Sequence, residues 1–465
     1  MNLSRPFFSG IAGTGMSALA QYLAFQGEKV SGSDRSLDRG AETGKRAYFE
    51  GIGVRLTPQD GSGIDGCSCL IVSTAIESTN PEVQRAQALG VAIVHRSDLL
   101  AELARRKRTI AISGTSGKST VTGMVWNVLK AGGLEPSLIT GANLNSLMHE
   151  GLLGNAVAGM GEWLAIEADE SDGSLIKYSP EMGVILNVEK DHKEIEELIP
   201  LFERFRDQTT GRVILNGDDW HCEALRRPQD AVFHSAGMAD GNVVNLRLGD
   251  WGSEFKLGGT GFLLHVPGRH NLTNAMAALA IGRELGISLA DCARGLDAYR
   301  GVERRHVRIG EAGRVTVVDD FAHNPSKVKA CLQTVKAAMD GAPRRILAIF
   351  HPHGFAPMKL MGADLVQGAA DALDGKDVLF FPEIYYAGGT ADKSISSADL
   401  ARMANALKPA SGGKFARFLP TKDEVIAAVA AEAKPGDWVV SMGARDPSLG
   451  DFATRLFEAI KASHG

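Results

Sequence analysis

At 465 residues the chain is longer than one hydrophobic core can organise, so two to four domains are expected. Its composition, 44% hydrophobic and 23% charged with a net charge of −5, is that of an ordinary globular protein. Both signs of charge are spread along the chain, which argues against a nucleic-acid-binding or polybasic membrane surface. Five cysteines (Cys67, Cys69, Cys222, Cys292 and Cys331) fit neither a disulfide framework nor a zinc spacing, and Cys67-Ser-Cys69 reads as buried core thiols. No leader pattern and no membrane-length apolar run is visible, so no membrane insertion is expected and a cytoplasmic location is the default.

Strand-like apolar runs alternate with helix-like periodic runs almost throughout, the pattern of an α/β protein with parallel sheets. The first unit, "FFSGIAGTGMSALAQYLAFQG", reads strand, tight turn, helix. Gly13, Thr14, Gly15, Met16, Ser17 and Ala18 fit a G-x-G-x-x-A turn that brings backbone close to a pyrophosphate at a helix N-terminus. A second strand, "KVSGSD", ends on Asp34, near the spacing of a ribose-binding acid. Taken alone these residues support a nicotinamide-dinucleotide site, the bland alternative being a glycine turn that only packs a helix on a sheet.

The basic stretch Arg105-Arg106-Lys107-Arg108 precedes a new strand and marks the first boundary. "TIAIS" then runs into Gly114, Thr115, Ser116, Gly117, Lys118, Ser119 and Thr120, a phosphate loop. Its backbone N–H groups would cradle phosphates, Lys118 would reach the β and γ oxygens, and the Ser119 hydroxyl would hold Mg²⁺. The loop is shortened, because Ile112 stands where the full pattern has its first glycine. The following helix places Val121, Met124, Val125, Val128 and Leu129 on one face, and Gly132-Gly133 stops it.

Two further strands end in polar clusters. "EWLAIEADESDGS" carries Glu167, Asp169, Glu170 and Asp172; "GVILNVEKDH" carries Asn187, Asp191 and His192. Ligands of parallel sheets bind beyond the carboxyl ends of strands, and oxygen ligands there suit Mg²⁺. An acidic run is more often a solvated loop and a lone histidine more often structural, but three such features converge on one sheet. A second boundary falls near Gly301, before the strand "VTVVDD", dividing the chain into 1–107, 108–300 and 301–465.

Taken together, "GIAGTGMSALA", "SGSD", "IVSTAIESTNPEVQRAQALGVAIVHRSDLLAEL", "GTSGKST", "EADESDGS", "NVEKDH", "GRHNLTNAMAALA", "GVERRH", "VVDDFAHNP" and "GARD" occur in the order of the Mur ligases of peptidoglycan synthesis. The chain resembles that family over essentially its whole length, nearest the branch that acts on UDP-N-acetylmuramate. The resemblance implies three domains: an N-terminal Rossmann-like domain for a UDP-linked sugar, a central P-loop ATPase domain, and a C-terminal Rossmann-like domain for the amine. It replaces the nicotinamide reading of the first loop, and leaves Gly13 to Ser17, Asp34, Ser73, Thr74 and Ala75 to the UDP-sugar. It implies ATP and Mg²⁺ as cofactors, with Lys118 on phosphate and Ser119, Glu167 and His192 as metal ligands. Asn271, Asn274, Arg305 and Asp320 are implied at the nucleotide, and His323 at nucleotide and substrate.

The implied reaction phosphorylates a carboxylate and lets an amine displace the phosphate, adding L-alanine, or in the related branch a preformed tripeptide, to the sugar. No nucleic acid is implied, and the protein is expected as a monomer or homodimer. Several positions depart from the alanine-adding pattern. Ser116 and Ser119 replace histidine and threonine, and "DDFAHNP" replaces "DDYGHHP". Gly354, Phe355, Ala356 and Pro357 follow His353 where arginines are usual, and Met358-Lys359 is similar to the tripeptide branch. The cations left near an acceptor carboxylate are His353, Lys359 and Arg445, of which Lys359 and Arg445 are expected to hold it. The helix "EELIPLFERFRDQ" lacks the lysine that later-acting members carbamylate. Two readings outside this activity are a nicotinamide oxidoreductase, resting on Gly13, Gly15 and Asp34, and a silent nucleotide-binding scaffold, against which Lys118, Glu167 and His192 speak together.

Overall fold

A computed structural model describes residues 1–40, 42–170, 173–189, 194–238, 241–249, 251–339, 344–386, 392–408 and 414–464. The chain forms two compact units, one of residues 1–247, 253–265 and 269–302, the other of 248–252, 266–268 and 303–465.

The first unit holds two main sheets. The N-terminal sheet has five parallel strands in the order Arg55–Leu56, Ser31–Ser33, Pro6–Ser9, Cys69–Val72, Ala92–His95. The strand order reverses beside Pro6–Ser9, so the loops after it and its two neighbours share one edge. The central sheet runs Ala231–Phe233, Arg212–Asn216, Met182–Ile185, Arg108–Ser113, Trp163–Glu167, Ser137–Ile139, Ala156–Val157, parallel except for its last strand. The alternating pattern did not disclose the antiparallel hairpin Ser253–Leu257 with Thr260–Leu264, where Phe255 stacks on Phe262 at 4.9 Å.

The helix Lys118–Ala131 departs from the one-faced expectation. Val121, Met124, Val125, Val128 and Leu129 are buried, but so are Thr122, Gly123, Trp126 and Asn127. Helices Arg269–Glu284 and Leu289–Ala298 cover the side away from the sheet. Gly295 permits the approach, since a Cβ there would stand 2.6 Å from Val128 Cα. The expected stop is present: Gly132 caps the helix and Gly133 follows with φ 77°.

The second unit is a six-stranded sheet ordered Val307–Ala312, Val315–Asp320, Trp438–Gly443, Ile346–His351, Val378–Phe381, Ala416–Phe418, antiparallel only at the first pair. Alternate residues of one strand enter different cores. Ala348 and Phe350 pack with helices Pro325–Ala338, Phe355–Ala372 and Ser397–Leu407, and Leu347 and Ile349 with Lys422–Glu432 and Leu449–His464. Of the cysteine pair, Cys69 is buried as expected, but Cys67 is only half-buried, its thiol donating to Gly63 O at 3.2 Å. Among the described residues no helix is long and apolar enough to cross a membrane.

Candidate active site

The phosphate loop leaves the central strand Arg108–Ser113, and the two strands beside it are Trp163–Glu167 and Met182–Ile185. The strand-end features expected to converge on one sheet therefore emerge side by side at its edge. Gly114 and Gly117 adopt φ 131° and 85°, which favour glycine. Gly117 has a second reason to be glycine, because a Cβ there would stand 2.8 Å from Asn274 Oδ1. Asn274 also donates to Asn271 Oδ1 at 3.0 Å, so this pair on the helix Arg269–Glu284 is braced against the loop.

Asn187, two residues past its strand, fastens the loop from the other side. Its Oδ1 accepts from Thr115 Oγ1 and from Ser116 N, both at 2.8 Å, and its Nδ2 donates to Ser116 O at 3.1 Å. The sequence suggested Asn187 only as one polar group of a strand-end cluster; here it is a positioning residue for the loop. Asp172, Asp191 and His192 lie outside the described residues.

Lys118 Nζ donates to Gly114 O and to Glu170 Oε2, both at 2.7 Å, with Asp169 at 3.7 Å. Burial disfavours the ammonium, but the carboxylates of Glu170, Asp169 and Glu167 outweigh it and raise its pKa. Burial raises the pKa of Glu170 in turn, against the pull of Lys118. A 2.7 Å contact and a second carboxylate beside the ammonium favour the ionised pair at neutral pH. Sequence reasoning named Glu170 without giving it a partner; the topology supplies one.

Glu167 ends its strand with Oε1 accepting from Gly141 N at 2.8 Å and from the Thr140 hydroxyl. Among the described residues no hydrogen bond falls on its Oε2. Ser119 is the second residue of the helix behind the loop. A carboxylate oxygen and a hydroxyl at the strand and helix ends are hard donors, which fit Mg²⁺.

At the edge of the N-terminal sheet, Asp34 accepts from Ala12 N at 3.0 Å and from Ser36 N at 2.8 Å, which ties the first loop to the second strand. Gly13 caps the helix Thr14–Phe25. A Cβ on Gly15 would meet Arg96 Nη1 at 3.0 Å, so a guanidinium that sequence reasoning missed lies over this helix start. Met16 is buried in the core, and Ser17 Oγ accepts from Asn155 Nδ2, which also donates to Thr14 O. Ser73, Thr74 and Ala75 follow the adjacent strand, with Thr74 and Ala75 exposed.

In the second unit, Arg305 lies over the Phe321 ring at 5.0 Å. Its neighbour Arg304 donates to Asp319 Oδ2 at 2.8 Å and Gly443 O at 3.0 Å. Asp320 accepts from His306 N at 2.8 Å and Ala322 N at 2.7 Å. The His323 and His353 rings are 5.9 Å apart, each pulled down to about 4 by burial, so both are neutral at pH 7. Arg445 is exposed with φ 63°, and its charge adds to the lowering at His353. Lys359 is exposed and held by Asp392 at 2.7 Å.

Three family descriptions match in order: "Mur ligase family, catalytic domain" over residues 8–108, "Mur ligase middle domain" over 112–282, and "Mur ligase, glutamate ligase domain" over 304–445. The chain belongs to the Mur ligase family, and it is an ATP-dependent, ADP-forming acid–amine ligase. It is similar to the UDP-N-acetylmuramate–L-alanine ligase of Streptomyces avermitilis, 38% identical, with 96% of this chain and 95% of that one covered. The enzyme of the same name from Pelotomaculum thermopropionicum is 35% identical, with 94% of each covered. Among solved structures, the UDP-N-acetylmuramate-alanine ligase MurC of Thermotoga maritima superposes with a TM-score of 0.79 at 26% identity, covering 99% of both chains. A murein peptide ligase from Psychrobacter arcticus shares the fold, with a TM-score of 0.67 at 20% identity and 98% of this chain and 99% of that one covered.

Proposed function

We propose that this ligase joins the carboxylate of UDP-N-acetylmuramate to the amine of L-alanine, in peptidoglycan precursor synthesis. The observation that carries the reading is near-full-length similarity to enzymes bearing that name, at 38% identity in one case. A carboxylate oxygen attacks the γ-phosphorus and ADP leaves. The amine then attacks the acyl phosphate, phosphate leaves and the amine's proton is lost. Lys118 and the loop N–H groups stabilise charge that builds on the transferring phosphoryl oxygens. Mg²⁺, held by Ser119, Glu167 and His192, would supply further neutralisation of phosphate charge.

Asn271, Asn274, Arg305 and Asp320 serve the nucleotide in this reading. Gly13 to Ser17, Asp34 and Ser73 to Ala75 serve the UDP-sugar, with Met16 and Ser17 offering backbone rather than side chain. His323, Lys359 and Arg445 serve the acceptor, for which Lys359 must leave Asp392. The domains would be 1–107, 108–300 and 301–465. A cytoplasmic monomer or homodimer is the matching state, which sedimentation would check. A second reading, addition of a preformed tripeptide to the same sugar, is favoured by Phe321-Ala322-His323 and Met358-Lys359. The test is ADP release from ATP and UDP-N-acetylmuramate across a panel of amino acids and peptides. Release with L-alanine supports the first reading and release with tripeptide alone the second; release indifferent to the UDP-sugar overturns both.

A further inference from the structure

The second unit brings together nitrogen, oxygen and sulfur donors, a combination that goes beyond the nucleotide role read for Asp320. His306 stands just ahead of the strand Val307–Ala312, Asp320 ends the neighbouring strand Val315–Asp320, and Cys331 points in from the helix Pro325–Ala338. One ligand atom from each (an imidazole nitrogen, a carboxylate oxygen and the thiol sulfur) lies within 4.8 Å of the other two. Their placement is well anchored. Asp320 is fixed by the backbone N–H groups of His306 and Ala322, and Cys331 is buried in the helix. His306 keeps a left-handed backbone, φ 53°, that costs a non-glycine residue about 1 kcal/mol or more. The Trp251 ring, itself stacked on Trp438, lies 6.3 Å from the imidazole.

We propose that His306, Asp320 and Cys331 form a site for a borderline divalent cation such as Zn²⁺, built from residues other than the expected Mg²⁺ ligands Ser119, Glu167 and His192. A nitrogen, oxygen and sulfur set selects against Mg²⁺, which takes oxygen ligands almost alone. Tetrahedral bonds of roughly 2.0–2.3 Å put ligand atoms about 3.5 Å apart, so the three side chains must close by about an ångström. Binding forms a metal–sulfur bond while the Cys331 thiol gives its proton to solvent. The fourth position is left to water or to a ligand, as in sites that are not purely structural.

The site can be tested without reference to ligase activity, so the outcome is independent of the proposed function. The full chain, free of other metals, is titrated with Co²⁺ alone while its absorption spectrum is followed. The expected result is a thiolate-to-cobalt charge-transfer band that saturates near one equivalent, vanishes in Cys331→Ser and is reversed by Zn²⁺ but not by Mg²⁺. His306→Gln leaves the thiol in place and should weaken Co²⁺ binding by more than the roughly 10- to 100-fold lost with an outer-shell partner. Circular dichroism checks that each variant is folded. Absence of the band in the folded wild type, its survival in Cys331→Ser, or unchanged affinity in His306→Gln overturns the proposal.

Discussion

Replacing Glu170 with glutamine removes one charge from a buried pair and tests how the resting site holds its lysine. The side chains of Lys118 and Glu170 are 14% and 4% exposed and meet at 2.7 Å. At an effective dielectric of 20 that separation corresponds to about 6 kcal/mol of attraction, before desolvation is subtracted. Losing one member of a buried pair typically costs about 3–5 kcal/mol. Here Asp169 at 3.7 Å and Gly114 O at 2.7 Å still face the ammonium, so we expect about 2–4 kcal/mol. The nucleotide-free protein should therefore melt several degrees lower. The sign for ATP is opposite: phosphate must take the ammonium from Glu170, and in Glu170→Gln that competition is weakened. Differential scanning fluorimetry with and without ATP, with calorimetric Kd values, should show a lower Tm without nucleotide and a larger ATP-induced rise. An unchanged Tm would refute the pair's contribution. A tenfold loss of ATP affinity would instead mean that Glu170 acts on the nucleotide or its metal directly.

Three other perturbations follow from the geometry. Gly117→Ala places a methyl against Asn274 Oδ1 on a φ 85° backbone, so the KM for ATP should rise at least tenfold in steady-state assays, while Gly133→Ala, with nothing within 4 Å, costs only stability. His351 and His353 are pulled down to about 3 and about 4 by burial, so the unfolded chain takes up their protons first. Stability is then held above about pH 6.5 and lost toward pH 4, by up to about 1.4 kcal/mol per pH unit for each ring; urea midpoints at pH 7, 6 and 5 should follow that slope, and His351→Gln should make it shallower. Arg445→Ala should raise the KM for the amine and leave that for the UDP-sugar nearly unchanged; equal effects on both would remove Arg445 from the acceptor site.

The parallel sheets and the phosphate loop were legible because their signals are local: a buried strand, glycines at fixed offsets and an apolar helix. The antiparallel hairpin at Ser253–Leu264 was not, since its alternating pattern is brief. The helix Lys118–Ala131 hid its second buried face, because Thr122 and Asn127 are polar and Gly123 has no side chain to mark contact. Their burial depends on helices more than a hundred residues later in the chain. The same limit applies to the site. Lys118 was readable from its loop, while the Glu170 contact spans 52 residues and the Asn187 clamp 71 or 72. Arg96 sits over Gly15 for a reason only the strand order reveals, because the two positions open helices that follow different strands of one sheet.

The side-by-side origin of the phosphate loop, the Glu167 turn and the Asn187 turn makes the central sheet a ruler. Adjacent parallel strands are spaced about 4.8 Å apart by their ladder bonds, whatever the loops beyond them contain. The distance between the phosphate-binding backbone and the Glu167 carboxylate is thus set by the pairing of Ile112 with Glu167, not by loop length. Loops at this edge can lengthen, shorten or exchange residues while the phosphate-to-carboxylate spacing keeps its register. Grafting of loops between related ligases should accordingly retain phosphate transfer when cuts fall beyond Glu167 and Asn187, and lose it when a cut shifts either strand by one residue.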